Sequence, residues 1–553
     1  MRLASNLMAI AAALGAAALG VACSRGTAQP AVGGPTSLQV GTGLAAEQTL
    51  TLSIDSAPTT LDPLLTAETQ TQHVLDDLFE GLVALGIDGK PVPGVASDWA
   101  VSADGKTWTF HLRADARWSN GAPVTAQDFI YAWRREVDPK TGAPYAQSLS
   151  SLENAEQITA GKMPPSALGV DSPDPRTLVI HLTTAVPYFL AILNQQYFYP
   201  LYEPAISQWG DQWTLPEHMV CDGAFHLQED LRSTRMTLAK NPNYWDARNV
   251  RLQHVTYLVL PDANTHSLRF QSGEVQFAYT FPSSQYPWLK THFADQAVTT
   301  PYLGTLMIEF NMKAPPFRNN PALRRALNMA IDRGDLTRYL KQGLNVDALD
   351  LVPPLDGYTQ ARPAWANLSD AQRYAEARRL YAEAGYSSEH PLRVELSVPN
   401  QGAASLIVFE AVVDMWYRHL GAQVALDQRE LKVLIQEQQL HKLPLYQLAW
   451  TGDYPDPLTF LDLFETGSEG NFGEYTNPRF DQLMDRAKQE PNAEARYRLL
   501  SSAEGTLTED AAIVPLFYYG SRHLIKPYLK GWQSNLIDRH PARFMYLLEH
   551  SGN

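Results

Sequence analysis

The segment 443–460, which reads LPLYQLAWTGDYPDPLTF, contains the residues with the clearest chemical potential. Its first half is an apolar and aromatic run typical of a buried strand, and the two prolines that follow exclude a continuing central strand. Asp453 is therefore expected just past the carboxyl end of that strand, beside Trp450. Ligands of open α/β sheets bind at this edge, and a carboxylate next to an indole suits a cationic group such as an amine. The alternative is that Asp453 only caps a helix beginning at Leu458.

Motifs for catalysis are absent from the sequence. It contains no G-x-S-x-G, H-E-x-x-H, P-loop or C-x-x-C pattern, and its 14 histidines are scattered. The acidic pairs Asp76–Asp77 and Asp453–Asp456 could be an acid and a base or a calcium site, but carboxylates in a solvated loop are the simpler explanation. We therefore expect no enzymatic activity, no cofactor and no metal.

Charge and composition favour ligand binding. The formal net charge of the 553-residue chain is -15, which argues against nucleic acid because phosphate binding needs clustered Lys and Arg. The length is enough for two to four domains with sizeable cores. The 25 tyrosines and 12 tryptophans are enough to line a wide site, although core packing accounts for most of them.

The first 22 residues predict export. Arg2 precedes an Ala/Leu-rich run, 7–19, which has about the length of a signal-peptide core and is too short for a membrane span. The residues before Cys23 resemble a bacterial lipoprotein signal, except that Gly20 replaces the usual leucine. We expect a lipidated Cys23 that anchors the protein to a membrane in the periplasm or cell envelope. Cys221 would then have no disulfide partner; the alternative is a Cys23–Cys221 bridge.

Patterns along the rest of the chain predict a mixed α/β protein. Residues 23–47 read as a flexible tether, with structure beginning at Gln48. A strand–helix–strand unit at 392–424 predicts a parallel pair of strands with a right-handed crossover. The predicted strands are 50–54, 108–113, 178–182, 255–260, 306–310, 392–398, one from 424, and 513–519. The predicted helices are 69–80, 125–133, 321–340, 370–384, 406–420 and 431–440.

A succession of short motifs closely resembles bacterial oligopeptide-binding proteins, the solute-binding subunits of peptide-importing ABC transporters. The motifs are TLDP at 60–63, DLFEGL at 77–82, WTFHLR at 108–113, WSNG at 118–121, PVTAQDF at 123–129, VDP at 137–139, PYA at 144–146, NPNYW at 241–245, SGE at 272–274, PPF at 315–317, ALNMAID at 326–332 and WTGDY at 450–454. The resemblance covers nearly everything from Gln48 to His550, and the region of Trp118, Asp128 and Phe129 is a fairly specific family signature.

The resemblance implies a type II periplasmic-binding-protein fold, a three-domain α/β clamshell with mixed sheets and a hinge. Domain I would comprise 48–79, 205–303 and 521–550, domain II 80–204, and domain III 304–520. A monomer of this kind would hold an extended peptide between domains I and III and deliver it to the permease subunits of an ABC importer. A receptor for murein peptides or another small solute on the same fold is the first alternative. A secreted hydrolase is the second, although a nucleophile–base motif is lacking.

The resemblance also implies a set of peptide-binding residues. A protein that ignores side-chain identity holds the peptide backbone as an added strand, here near Ala67–Thr69 and Ala449–Thr451. Asp453 occupies the position that pairs with the peptide α-amino group, and Trp450 would wall a side-chain pocket. The full expected set is Ala67, Thr69, Tyr145, Lys341, Ser405, Gln438, Gln447, Ala449, Trp450, Thr451, Asp453 and Tyr454.

Three departures from the family pattern concern the same region. A disulfide found in many peptide-binding relatives has both positions replaced, by Gly304 and Thr451. An aromatic residue of a side-chain pocket is replaced by Leu431. The positions that bind the peptide carboxylate are neutral, with Lys341 as one possible surviving cation; they are Ser405, Gln438 and Gln447. The amino-end site is thus kept and the carboxyl-end site is altered.

Overall fold

The structure, a computed structural model, describes residues 39–66, 68–340, 344–400 and 403–551. No helix within these ranges is long and apolar enough to cross a membrane. The strands are β1 (Gln39–Leu44), β2 (Thr49–Ile54), β3 (Val83–Leu85), β4 (Pro91–Pro93), β5 (Ala96–Val101), β6 (Thr107–Leu112), β7 (Val170–Asp174), β8 (Thr177–His181), β9 (Phe225–Leu231), β10 (Arg235–Lys240), β11 (His254–Val259), β12 (Phe277–Ala278), β13 (Ala297–Phe310), β14 (Val346–Asp347), β15 (Arg393–Pro399), β16 (Gln423–Arg429), β17 (Leu445–Thr451), β18 (Ile513–Ile525), β19 (Leu529–Lys530) and β20 (Tyr546–Ser551).

The helices connect these strands and cover the sheets. They are α1 (Thr69–Leu78), α2 (Ala126–Val137), α3 (Ala155–Thr159), α4 (Phe189–Ile192), α5 (Glu203–Trp209), α6 (Ala263–Gln271), α7 (Tyr286–His292), α8 (Pro321–Met329), α9 (Arg333–Asp335), α10 (Asp370–Glu383), α11 (Ala403–Leu420), α12 (Leu431–Gln439), α13 (Leu458–Leu461), α14 (Pro478–Gln489) and α15 (Ala493–Asp510).

An eleven-stranded mixed sheet runs through most of the molecule, in the order β16-β15-β17-β13-β18-β12-β2-β11-β10-β9, with β14 beside β18. The predicted parallel pair is confirmed, since β15 and β16 run parallel across α11. Four strands between residues 96 and 181 form a separate antiparallel sheet, in the order β5-β6-β8-β7. The arrangement confirms a mixed α/β protein.

The second half of β13, residues 303–310, is buried on both faces. Successive side chains of a strand point to opposite sides, so Ile308 and Phe310 pack into one apolar core while Met307 packs into another. The first core includes α8, α10 and α11, and the second includes α13, α14 and α15. This double cover fixes the position of β17, which pairs with β13 along its whole length.

Two long antiparallel strands, β13 and β18, connect the two halves of the large sheet. Residues 297–301 of β13 pair with 520–524 of β18, and residues 305–309 pair with 513–518. Between these ladders the register shifts, and residues 302–304 have no ladder partner on β18.

The predicted tether is wrong at its carboxyl end. Residues 39–44 form β1, which pairs with β20 so that Val40 lies opposite His550 and Leu44 opposite Leu548. Gly41 and Gly43 allow this close approach, because Glu549 fills the space that Cβ atoms would need. A strand whose partner lies at the far end of the chain carries little local pattern.

The single helix predicted over 321–340 is also wrong. Helix α8 ends at Met329, the Asp332 side chain accepts a hydrogen bond from the backbone of Asp335 to begin α9, and a π-helical turn follows at Leu336–Leu340. The buried Arg333 guanidinium donates to the backbone carbonyls of Asn328 and Ala348. The Asn328 carbonyl is available to it because the helix is interrupted one residue later.

Candidate functional site

The end of β17 presents a strand edge that no described strand covers. On one side β17 pairs with β13, and on the other it meets β15 only where Tyr446 lies opposite Ser397. The backbone from 447 to 451 therefore has N–H and C=O groups that are not paired with another strand. One of them, the Gln447 carbonyl, accepts a hydrogen bond from Gln438 Nε2 at 2.8 Å. Such an edge can take an extended chain as an additional strand.

Asp453 lies two residues beyond β17, as predicted. Its backbone is held from two sides, because Gln195 Nε2 donates to its carbonyl at 2.5 Å and its own N–H donates to Thr459 Oγ1 at 3.3 Å. Among the described residues no Lys, Arg or His forms an ion pair with its carboxylate. Desolvation by burial raises the pKa of this carboxylate to about 6. The site is therefore suited to a cation supplied from outside.

Two tyrosines stand beside this carboxylate. The rings of Tyr145 and Tyr197 lie 5.4 Å apart between centroids. Burial raises the pKa of both hydroxyls, and the negative charge of Asp453 raises it further. Both phenols are thus protonated at physiological pH, and each keeps an O–H group that can donate a hydrogen bond. Tyr454 lies close by, with its ring stacked on Tyr188 at 5.0 Å.

At the start of the short helix α13, whose N-cap residue is Pro457, the backbone N–H of Leu458 donates to Asp456 and not to Asp453. Asp456 Oδ1 accepts from the Leu458 backbone N–H at 2.9 Å, and its two carboxylate oxygens lie 2.8 and 2.6 Å from the guanidinium of Arg496. The alternative considered for Asp453 is therefore wrong, and its carboxylate is not used to cap that helix.

A cavity of about 460 Å³ borders the same stretch of β17. Its lining is mostly apolar and includes Val408, Phe409, Leu431, Leu434, Ile435 and Phe517. None of the described residues that line it is charged. Two buried polar atoms, Gln447 Oε1 and Trp450 Nε1, have no hydrogen-bond partner among the described residues. Because its lining is apolar and uncharged, the cavity suits an uncharged group.

The structure brings together most, but not all, of the predicted binding residues. Gln438, Gln447, Ala449 and Trp450 line the apolar cavity, and Ala449 and Thr451 also border a second cavity beside it. Thr69 begins α1, where backbone N–H groups lack intrahelical partners, and Ser405 lies in α11. Ala67, Lys341 and Cys23 lie outside the described residues.

The positions of the replaced disulfide are neighbours. Gly304 and Thr451 lie directly opposite each other on β13 and β17, and Tyr519 packs where a Cβ on Gly304 would be. The described residues contain a single cysteine, Cys221, which is buried and has its pKa raised to about 12 by burial. The structure therefore shows the strand pair at this position without a covalent link.

Sequence reasoning missed Gln195, Tyr197 and Tyr188. These residues lie in the segment 183–202, which is remote in sequence from Asp453 and reaches it only in the folded chain. The dense polar and aromatic run QQYFY at 195–199 was the one local sign of a functional loop.

The chain is similar to known proteins over most of its length. A profile of the family described as bacterial extracellular solute-binding proteins, family 5 Middle, matches residues 90–472. The periplasmic oligopeptide-binding protein OppA of Escherichia coli (strain K12) is 35% identical over 515 residues, which cover 92% of this chain and 94% of that protein. The periplasmic murein peptide-binding protein MppA of the same organism is 34% identical over 514 residues, covering 92% and 95%. The unliganded open form of MppA superposes with a TM-score of 0.82, at 34% identity, over 92% of this chain and 99% of the other.

Proposed function

The chain belongs to family 5 of the bacterial extracellular solute-binding proteins, which has the type II clamshell fold, and from this membership we propose that it captures peptides for an ABC importer. An extended peptide would lie along the free edge of β17 and be delivered to the membrane permease. OppA of E. coli, whose name states that it binds oligopeptides, supports this assignment.

The proposal depends chiefly on Asp453. This carboxylate lies at the end of a strand edge open to an added chain, and it has no ion-pair partner among the described residues. The α-amino group of a peptide would supply the missing cation while the peptide backbone pairs with residues 447–451. A charge-assisted hydrogen bond of this kind contributes roughly 1.5–3 kcal/mol.

The domain boundaries proposed above fit this role. Domain I would comprise 48–79, 205–303 and 521–550, domain II 80–204, and domain III 304–520. The chain would then pass between domains I and III within β13 and β18, close to the interval 302–304 where their ladder is interrupted. That position suits a hinge about which two walls close on a ligand.

Native mass spectrometry of protein purified without denaturation tests the proposal. We expect additional masses that tandem sequencing identifies as peptides, and calorimetric titration of the emptied protein with the same synthetic peptides should restore binding. Release of a non-peptide solute, together with no heat from any peptide, would overturn the assignment. Turnover of labelled peptides during incubation would instead support a hydrolase.

A murein peptide is the alternative ligand. The neutral residues at the carboxyl-end positions and the similarity to MppA favour a ligand that differs from a free linear peptide at that end. Competition between a linear tripeptide and a murein tripeptide for the emptied protein separates the two ligand classes.

We also propose that the mature protein is a monomer anchored through a lipid on Cys23. Replacement Cys23→Ser should release it into the soluble periplasmic fraction, and its peptide affinity should be unchanged because Cys23 lies well before β1 in sequence. Recovery of the parent protein in that soluble fraction, with a different N-terminus, would contradict the anchor.

A further inference from the structure

A cluster of two histidines and one aspartate lies on β18 and the segment that follows it, apart from Asp453. His523 Nε2 is 2.7 Å and His540 Nε2 is 3.2 Å from Asp538 Oδ1. The three ligand atoms all lie within 4.8 Å of one another, an arrangement that occurs once among the described residues. The side chains of His523 and His540 are 0% and 2% exposed, and that of Asp538 is 19% exposed.

We propose that His523, Asp538 and His540 bind a divalent transition-metal ion, and that Zn²⁺ matches the site best. Two imidazole nitrogens and one carboxylate oxygen form a donor set that zinc prefers when it keeps a fourth position open. Ligand atoms at about 2.0–2.1 Å from a tetrahedral ion lie about 3.3 Å from one another. The observed spacings of 2.7 and 3.2 Å therefore need only small side-chain shifts to admit the ion.

The surroundings of the cluster hold the imidazole rings in place. The ring of Phe277 lies 5.3 Å from that of His523 and 5.7 Å from that of His540, and Trp532 packs 5.1 Å from His540. The other ring nitrogen of His540, Nδ1, lies 3.3 Å from Nδ2 of the buried Asn535. An apolar shell and a hydrogen bond behind a ligand are the features that fix ligand orientation and exclude competing water.

The cluster has an entrance. Asp538 lines a cavity of about 460 Å³ together with Thr451 and Tyr302, so the most exposed of the three ligands faces a space that an ion can enter. His73 also lines this cavity, and its buried Nδ1 has no hydrogen-bond partner among the described residues. The open fourth position of the metal would therefore face the side of the cleft that β17 borders.

No sequence motif announces such a site. Asp538 and His540 are two residues apart, while His523 lies 15 residues before Asp538 on a strand. Metal motifs on a single helix or loop have short fixed spacings, whereas here β18 and the C-terminal segment must fold together before the three side chains meet. The expectation of no metal reflected that separation.

Zinc titration of the full mature chain, without a tag and after removal of metals with EDTA, tests the proposal. We expect one Zn²⁺ bound per chain by calorimetry and visible absorption bands of tetrahedral Co²⁺ when cobalt is used instead. Asp538→Asn keeps a hydrogen-bond acceptor between the two histidines but removes the anionic ligand. It should lower the zinc affinity by on the order of 100-fold or more, beyond the effect of altering a supporting residue. His540→Gln should do the same.

The matched control is Asp98→Asn. Asp98 also accepts from a histidine, His111, at 2.6 Å, but that pair is exposed and has no third ligand, so the zinc affinity of this variant should equal that of the parent. Circular dichroism and thermal unfolding establish that each variant is folded, and zinc should raise the melting temperature of the parent but not of Asp538→Asn. Absence of zinc binding by the parent would overturn the proposal, as would binding that both Asp538→Asn and His540→Gln retain. Because the probe is the metal alone, neither result depends on peptide binding.

Discussion

Asp453 and Asp456 lie three residues apart in one short loop, yet the fold treats them differently. Asp456 is buried, accepts from the Leu458 N–H at the start of α13 and pairs through both oxygens with Arg496, whose side chain is 3% exposed. Asp453 has no such cation among the described residues, and burial raises its pKa to about 6. A paired carboxylate serves the fold, whereas a desolvated carboxylate left unpaired by the chain is available to a ligand. The comparison singles out Asp453 as a candidate binding residue without reference to any relative.

The largest effect is expected from removing the partner of the structural carboxylate. Arg496→Met leaves Asp456 buried without a counter-charge and should lower the free energy of unfolding by about 3–5 kcal/mol. Denaturant unfolding measures the loss. The control is Arg498→Met, two residues along α15, where an exposed pair with Glu494 should contribute no more than about 0.5 kcal/mol. Equal effects of the two substitutions would remove the distinction between the buried pair and a surface pair.

The next effect concerns ligand affinity. Asp453→Asn should weaken peptide binding by roughly 10- to 100-fold, because it removes a charge-assisted bond of about 1.5–3 kcal/mol, while the melting temperature should not fall. N-acetylation of the peptide should cost the parent protein a similar factor. Calorimetry of both proteins with both peptides forms a double-mutant cycle. If acetylation costs the Asn variant as much as it costs the parent, Asp453 does not contact the amino group.

The pH dependence of peptide affinity should also test the role of Asp453. The pKa of Asp453 is about 6 in the unliganded protein, and a bound ammonium would lower it, so peptide affinity should fall by up to about ten-fold per pH unit below pH 6. Asp453→Asn should show no such fall. Folding raises this pKa, so the ionised carboxylate destabilises the folded protein. This loss of stability is absent below the pKa of Asp453 in the unfolded chain and fully present above its pKa in the folded protein. The unliganded Asn variant should therefore melt above the parent at pH 7 and with it below pH 4, as calorimetric scans would show.

The smallest effect is expected at the other end of the ligand. The cavity beside Gln447 is lined by no charged described residue, so amidation of a peptide carboxylate should cost about 1 kcal/mol or less. Free and amidated peptides titrated against the parent and Lys341→Met provide the measurement. A cost above about ten-fold in the parent, abolished in Lys341→Met, would show that a carboxylate site exists after all.

Local chemistry made much of the fold predictable from sequence. The helix predicted from residue 125 is confirmed as α2, and Thr125 and Asp128 form a capping box at its start. The helices predicted to end at 384 and 420 are α10 and α11, and Gly385 and Gly421 just after them adopt positive φ angles. The strand that ends before Asp453 was equally predictable, because the prolines that follow it in sequence exclude a longer strand.

The rest depended on partners that are distant in sequence. Strand β1 exists because β20 lies beside it, and α8 is separated from α9 by a break that the buried Arg333 supports. The neighbours of Asp453, Gln195 and Tyr197, come from a segment whose only local sign was the polar and aromatic run at 195–199, which does not say what the segment contacts. That Asp456 and not Asp453 would be paired was equally hidden, because Arg496 lies 40 residues away.

The interrupted pairing of β13 and β18 determines how much work it takes to open the cleft. The two strands pair on both sides of residues 302–304, with a second register shift between Leu306 and Met307, so bending at 302–304 would rotate a few backbone dihedral angles and retain most of the hydrogen bonds on either side. The two connecting strands then act as a hinge, which bends more easily than it slides or twists. Open and closed forms joined in this way can differ by only a few kcal/mol, roughly what one well-placed ligand contributes to the form it prefers.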